Sequence, residues 1–390
     1  MQQIEVAIAV IHYAQHYLLS FRDAQQHQGN RYEFVGGKLD PNESPLQALI
    51  REVQEEIGLD ISQGSQINPL GVLRHTYSDL TAKKQVCLHV FRVQLSKFQY
   101  LQQLKYTQGQ EGQALTWVDL PDLLAQHYQL PEANKSILAW LQLGDCISIT
   151  YDLDAFNSLV YFDLATFSSK NTANTAKNST SQVNQLSQHA QHWLNYYTRH
   201  LPVNGWVYVR LKQVDMQEQQ HMLLQLIQRR ADVQLIVNSQ LAKALQRSGQ
   251  MPTQIRAQHL TQAQLMQAHR QIQAQAHVDC HEQSNSSIAI LPDLPITVSC
   301  HDATSIEQLN DLARYRLNQR LSVVIGAYIS PVLPTKSHPE RDALGWQKFA
   351  QMAQLAEVPV IALGGMMPAD LCQVRYHQGD KVAGIRQFLV

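Results

Sequence analysis

Three glutamates, Glu52, Glu55 and Glu56, stand three and four residues apart in a stretch whose apolar positions recur at helical spacing. On an α-helix that spacing gathers their carboxylates on one face. Like charges so placed cost a helix roughly 0.2–0.5 kcal/mol per pair. A divalent cation turns the repulsion into ligation. An all-oxygen donor set without Cys or His suits magnesium, or manganese, better than zinc. Just upstream, Gly36 and Gly37 allow backbone groups to approach a metal or a phosphate closely.

The element that must carry the glutamates is legible from local signals. Ser44 is placed to N-cap a helix, Pro45 takes its first position, and Gln47 completes a capping box. Gly58 supplies a left-handed C-terminal cap, so the helix is expected over Pro45–Ile57. Leu46, Leu49, Ile50, Val53 and Ile57 fall on the opposite stripe and are expected to face the core. Around it, strands are predicted at Val6–Ile11, Tyr17–Phe21, Gly71–His75, Val86–Val93 and Thr116–Val118, with a closing helix at Lys135–Leu143. Mixed strands with about two helices imply an α+β or three-layer domain over residues 1–143.

From Asp145 to Val390 the pattern changes. Strand-like runs at Ile147–Tyr151, Trp206–Leu211, Gln234–Val237, Thr253–Arg256, Ile296–Ser299, Val323–Ala327, Val358–Leu363 and Ala383–Arg386 alternate with helix-like ones. Such alternation implies parallel strands with crossover helices. Eight strands fit a (β/α)8 TIM barrel, with a doubly wound sheet as the alternative. Residues 168–187 are polar and poor in aliphatics, and read as a flexible insertion.

Bulk composition narrows the partners. The 390 residues include 31 basic and 32 acidic side chains, and a protein that coats nucleic acid carries a basic surplus. A small-molecule partner is expected, without direct nucleic-acid binding. The five cysteines form no CxxC pair, which argues against a zinc site or a disulfide framework and for a reducing compartment. Met1 to Val10 shows no basic region followed by an apolar run, and no stretch has the length of a membrane span. A cytoplasmic protein without a membrane partner is therefore expected.

Gly37, Glu43, Arg51, Glu52, Val53, Glu55, Glu56, Gly58 and Leu59 together match every defining position of the Nudix box. The segment resembles the Nudix hydrolases, which cleave nucleoside diphosphates linked to another moiety with the help of a metal. The resemblance implies a Nudix fold (an α/β/α sandwich). It also implies that Glu52, Glu55 and Glu56, with Gly36, bind Mg2+ (Mn2+ possible), and that one glutamate orients or deprotonates water. Arg51 would hold the carboxylates by charge-assisted hydrogen bonds and Glu43 would steady the loop.

Beyond the box, the chain is similar to the MutT subgroup that acts on oxidised guanine nucleotides. Arg22, His27 and the run Glu33, Phe34, Val35, Gly36 keep that subgroup's spacing, and Glu111, Gly112 and Gln113 resemble the segment supplying a further metal-side carboxylate or base. Leu130 to Asn134 resembles the segment whose Asn reads the purine edge, although Asn134 is equally placed to cap the last helix. An Asn amide offers one donor and one acceptor, matching O6 and N7–H of 8-oxoguanine and mismatching guanine. The resemblance implies hydrolysis of 8-oxo-dGTP to 8-oxo-dGMP and pyrophosphate. Two departures bear on the base: Val35 replaces a usual Pro, and Lys83, Lys84 and Gln85 replace an expected Asp-Arg pair, leaving Lys84 as a cation without a planar guanidinium.

The later region resembles thiamine-phosphate synthase, a (β/α)8 family. The matching pieces include Val209 to Lys212, Leu235 to Asn238, Gln258 to Leu260, Ser299 to His301, Ser330-Pro331, Pro334 to Lys336, and Pro359 to Gly365. The synthase joins a pyrimidine diphosphate to a thiazole phosphate. Its acidic residues after the Asn and after the His-Leu are absent here, where Ser239 and the run Thr261 to Ala263 stand. Arg210, Lys212, Asn238, Thr335, Lys336, Gly364 and Gly365 remain as candidates to bind a phosphorylated ligand in a degenerate barrel. Alternatives are a bifunctional enzyme, hydrolysis of a thiamine-pathway diphosphate, or a nucleotide-binding regulator; an intact box argues against the last.

Overall fold

The computed structural model describes residues 2–25, 28–77, 84–156, 186–277, 290–335 and 342–390. His27 and Lys336, and nearly all of the 168–187 stretch, lie outside them. Among the described residues, no helix is long and apolar enough to cross a membrane.

The N-terminal region is built on a mixed sheet of seven strands: β1 (Gln2–Tyr13), β2 (His16–Arg22), β3 (Arg31–Glu33), β4 (Val35–Lys38), β5 (Gln66–Tyr77), β6 (Lys84–Gln94) and β7 (Leu115–Asp119). The path runs β3-β2-β1-β6-β5, with β4 on β1 and β7 on β2. β1 and β6 are parallel, pairing Glu5 with Cys87 and Ala7 with His89. Strand alternation sends Ala7, Ala9 and Ile11 to one face. There they pack on Ala48, Leu49, Val53 and Ile57 of α1 (Pro45–Ile57).

Helix α1 has the ends its sequence specifies. Ser44 accepts from the Gln47 amide, the Gln47 side chain returns to the Ser44 backbone, and Gly58 adopts φ 68°. One expectation fails: Leu46 is 45% exposed. It sits in the first turn, ahead of the stretch that meets the sheet, and Ala48 takes the inward position. The expected strands and both expected helices are present. Expectation omitted β3, β4, α2 (Lys97–Gln103) and α3 (Leu120–Leu124), all short elements with weak periodicity.

Helix α4 (Glu132–Gln142) starts three residues before its expected position, with Pro131 as its cap. Asn134 therefore lies inside the first turn and does not cap the helix. Trp140 of α4 is buried against Gly71 of β5, where an added Cβ would come within 2.8 Å of the indole.

Residues from Cys146 onward form a closed barrel, whose eight described strands run in the order β10-β11-β12-β13-β14-β15-β8-β9. They are β8 (Cys146–Ile149), β9 (Trp206–Val209), β10 (Gln234–Asn238), β11 (Ile255–Leu260), β12 (Ile296–Cys300), β13 (Val324–Ile329), β14 (Val360–Leu363) and β15 (Lys381–Gly384). Helices separate successive strands: α5 (Gln188–His200), α6 (Met216–Arg229), α7 (Ser239–Arg247), α8 (Gln262–His277), α9 (Ala303–Asn318), α10 (Gly345–Leu355) and α11 (Leu371–Tyr376). The barrel, not the doubly wound sheet, is the architecture. The strand expected at Thr253–Arg256 begins only at Ile255, because the Ile255 amide closes a turn onto the Pro252 carbonyl at 3.1 Å.

The described chain divides into two compact units, one holding the mixed sheet together with β12, β13 and β14, the other holding β8, β9 and β10. Within the first unit, Lys381 of β15 is 1% exposed. Its ammonium donates to the carbonyls of Leu143 at 2.8 Å and Trp140 at 3.5 Å, capping the C-terminal end of α4. Asp145 sits beside it, 2.9 Å from Arg375 and 3.6 Å from Arg92 of β6. A helix end and a buried cation satisfy each other here.

Candidate active site

The site is assembled from β4 and the loop that follows it, helix α1 and the loop 109–113. Arg51 is its organiser. Its Nε and one terminal nitrogen each bind Glu43 at 2.9 Å, a two-pronged contact, while the other terminal nitrogen donates to Glu52 and Glu55, each at 2.9 Å. A further bond reaches the Lys38 carbonyl at 3.0 Å. One guanidinium thus ties the loop before the helix to two of the three glutamates. Its hydrogen bonds with Glu43 hold that carboxyl below its ordinary range and push the guanidinium's own pKa up.

The glycines answer to the carboxylates. A Cβ on Gly37 would lie 2.2–2.3 Å from the Glu52 carboxylate atoms, so any larger residue would occupy the space that carboxylate uses. Gly36 takes φ 148°, and a Cβ there would collide with the Ala7 carbonyl at 2.1 Å. β4 can run against β1 at this point only with glycine.

Burial and mutual repulsion raise two of the acids. Glu52 is raised chiefly by burial, opposed by its bond to Arg51. Glu56 is pushed up to about 8, first by burial and then by the charges of Glu33, Glu52 and Glu111; the Gly36 backbone opposes the shift. Burial raises Glu33 as well, against its ion pair with Arg22. Four carboxylates therefore act on a common region, and Glu55 joins through Arg51 while pointing to solvent.

This arrangement fits a hard divalent cation. The donors are all oxygen, the Gly37 cradle keeps the Glu52 carboxylate clear, and the partly buried Glu56 is surrounded by like charges. The carboxylates do not converge on a single point. Among the described residues, the trio of His, Cys, Asp or Glu with ligating atoms mutually within 4.8 Å is Glu5, Cys87 and His89. Charge-assisted bonds to Arg51 spread Glu52 and Glu55 along its guanidinium edge.

The remaining expected residues differ in where they lie. Arg22 pairs with Glu33, and Asn134, 6% exposed, accepts from the Phe34 amide at 3.0 Å, so that Phe34, Glu33, Arg22 and Asn134 form one connected group. Val35 departs from expectation: it is fully buried in the core with Leu49 and Val53, because strand alternation turns it away from the face used by its neighbours. Lys84 begins β6, and His27 lies outside the described residues. Glu111 is exposed but close enough to raise Glu52 and Glu56.

Sequence reasoning missed what holds Glu111 there. The Glu56 carbonyl accepts from the Gln110 amide at 2.7 Å and the Gln113 side chain at 3.0 Å. A Cβ on Gly109 would approach that same carbonyl to 2.5 Å. Glycines at 109 and 112 were the only local signal.

At the barrel's strand ends Asn238 and Arg210, among the candidate ligand residues, are engaged structurally. Asn238 caps α7 by accepting from Leu241 at 2.8 Å, while its amide donates to Gln219. Arg210 pairs with Asp152 at 3.2 Å, and the Lys212 amide also reaches Asp152. His259 is buried against Tyr208, which lowers its pKa to about 3. In the other unit, Gly364 and Gly365 adopt φ 96° and 69° and lie against Pro331 and Leu333. The His301 ring bonds the Ser330 carbonyl at 2.8 Å. Thr335 follows that segment.

Residues 1–141 match the model of the NUDIX domain, and residues 184–388 that of thiamine monophosphate synthase. The chain belongs to the thiamine monophosphate synthase family, whose model spans more than half of it, and its first 141 residues carry a NUDIX domain.

Similar curated proteins lie on the Nudix side. The CTP pyrophosphohydrolase of Escherichia coli K12 is 43% identical over 67 residues, 17% of this chain and 50% of that protein. The 8-oxo-dGTP diphosphatase of Proteus vulgaris is 57% identical over 42 residues, 11% and 38% of the two chains. The 8-oxo-dGTP diphosphatase of E. coli K12 is 28% identical over 143 residues, 36% of this chain and 98% of that one. The chain thus spans half or less of the length of the first two and nearly all of the third. Among solved structures, the E. coli ORF135 protein is 30% identical, covering 35% of this chain and 87% of its own, at a TM-score of 0.27. A MutT structure from a study of Aliivibrio salmonicida and Vibrio cholerae is 27% identical, covering 35% and 94%, at 0.24.

Proposed function

We propose that the Nudix domain, residues 1–143, is a divalent-metal-dependent pyrophosphohydrolase of nucleoside triphosphates with a preference for 8-oxo-dGTP. The observation that carries this reading is the Arg51-centred array, in which one side chain binds Glu43, Glu52 and Glu55 while burial and three neighbouring acids act on Glu56. Glu52, Glu55 and Glu56 would hold magnesium, with Gly36 and Glu111 beside them. When bound, the ion offsets the charge of the polyphosphate and polarises the phosphoanhydride. The carboxylate oxygens of the array accept the proton of the attacking water, whose oxygen bonds to phosphorus as the anhydride oxygen leaves with pyrophosphate. Arg51 fixes where those oxygens point.

Asn134 is proposed as the reader of the base. The Phe34 amide already orients its carbonyl oxygen, leaving the NH2 group to donate to O6 and the second lone pair to accept from N7–H. Guanine offers an acceptor at N7 and leaves a buried group unpaired.

The barrel, residues 145–390, is proposed to retain binding of a phosphorylated ligand without synthase chemistry. Ser239 is fully buried at the start of α7, and Thr261 exchanges capping bonds with Gln264. Neither position supplies a carboxylate for a metal-held pyrophosphate.

Hydrolysis with Mg2+ of 8-oxo-dGTP, dGTP, CTP and pyrimidine diphosphates tests the reading on the full chain. The expected result is pyrophosphate release with 8-oxo-dGTP preferred, and a preference reduced about 10- to 100-fold by Asn134→Ala. Equal turnover of all bases, or action on pyrimidine diphosphates alone, overturns the base assignment.

A further inference from the structure

A second cluster lies outside the glutamate array. Glu5 is directly paired with Cys87 across the parallel β1–β6 ladder, and His89 follows two residues along β6. Two-residue periodicity puts Cys87 and His89 on one face. Glu5 shares that face with Ala7 and Ala9, and Cys87 with Val93, so the three side chains lie on the side of the sheet that packs on α1. The ligating atoms of all three lie within 4.8 Å of one another. Cys87 is 3% exposed, and the His89 and Glu5 side chains are 23% and 36% exposed. The His89 Nε2 and the Glu5 carboxylate approach to 2.6 Å.

We propose that Glu5, Cys87 and His89 form a second metal site, selective for a thiophilic divalent cation of the zinc class. The donor chemistry separates it from the magnesium array: thiolate and imidazole suit zinc, whereas four carboxylates suit a hard cation. A thiolate and a carboxylate balance the two positive charges, so no net charge is left beside the buried sulfur. Zinc bonds of about 2.0–2.3 Å in tetrahedral geometry set ligand atoms roughly 3.3–3.6 Å apart. From separations of up to 4.8 Å the cluster closes toward that size by up to about 1.5 Å, and the 2.6 Å His–Glu contact opens by about 1 Å. Side-chain torsions on two rigid neighbouring strands accommodate both. Binding releases the Cys87 thiol proton to solvent and replaces the His89–Glu5 hydrogen bond with two metal bonds. The exposed edges of His89 and Glu5 provide an entry path and room for a water as fourth ligand.

The test is a cobalt titration of the full chain, followed by zinc competition. One equivalent of Co2+ is expected to give a thiolate-to-metal charge-transfer band and four-coordinate d–d bands, both abolished by Zn2+. Cys87→Ser removes the charge-transfer band. His89→Gln, a change at a half-buried position that spares the core, weakens binding by more than about 100-fold while the circular dichroism spectrum is unchanged. Glu52→Gln leaves the band intact, separating this site from the glutamate array. Absence of a thiolate band in the folded protein, or a band that survives Cys87→Ser or is indifferent to His89→Gln, overturns the proposal.

Discussion

The loop-and-helix of the Nudix domain and the strand ends of the barrel both gather polar residues, yet they use them in opposite ways. In the first, side chains spend their hydrogen bonds on one another's functional atoms: Arg51 reaches Glu43, Glu52 and Glu55, and four carboxylates share one neighbourhood. In the second, the corresponding side chains satisfy the fold itself. Asn238 caps a helix, Thr261 caps the next, and Arg210 is paired with Asp152. A site that gathers like charges is held together against part of its own stability. Departures from the family pattern at Ser239 and Thr261 to Ala263 already set the two regions apart, and the partners of each polar atom add to that contrast.

The largest expected effect comes from breaking that contrast on the Nudix side. Glu52→Gln is expected to lower kcat for Mg-dependent pyrophosphate release by about a thousandfold or more. Asp152→Asn at the barrel strand ends is expected to change it by less than about twofold, as surface changes away from a site do. Equal losses in the two variants would mean that the barrel takes part in the chemistry.

A smaller effect is expected at the end of α4. Lys381→Met strips the Leu143 carbonyl of its buried donor and Asp145 of a neighbouring cation, with an expected cost of about 1–3 kcal/mol. At roughly 2–4 °C per kcal/mol, calorimetry of the full chain resolves the fall in Tm.

The smallest effect has the opposite sign. In metal-free protein the Glu56 carboxyl titrates near 8, against 4.5 when unperturbed. Between those values the folded state holds a proton that the unfolded chain has lost, so this group makes stability decline as pH rises from about 4.5 toward 8. Glu56→Gln removes the dependence. The variant is expected to be more stable than the parent at pH 8 and equal to it near pH 4. Urea unfolding at the two pH values without divalent metal checks this; a variant less stable at pH 8 would show that the carboxylates are not in conflict.

Much of this molecule is written in short-range code. The cap at Ser44, the box with Gln47, the left-handed Gly58 and the three-and-four spacing of the glutamates are decided within one or two helical turns, where backbone geometry leaves few choices. The β/α alternation after Asp145 is local in the same sense, since each run announces its own period. What spans the chain was not readable. Asn134 reaches the Phe34 amide across 100 residues of sequence, and Lys381 reaches Leu143 across 238. Glu33 and Glu111 come to Glu56 from strand and loop, Val35 turns inward by a register that pairs it with Ala9, and Leu46 stays outside because the helix meets the sheet one turn later. The sequence by itself determined the longer elements and which residue types they carry, while the short β3, β4, α2 and α3 left no readable period. Only the tertiary structure decided which of those residues meet, because loop closure and burial are set by the packing of the whole chain and leave no periodic trace in any one segment.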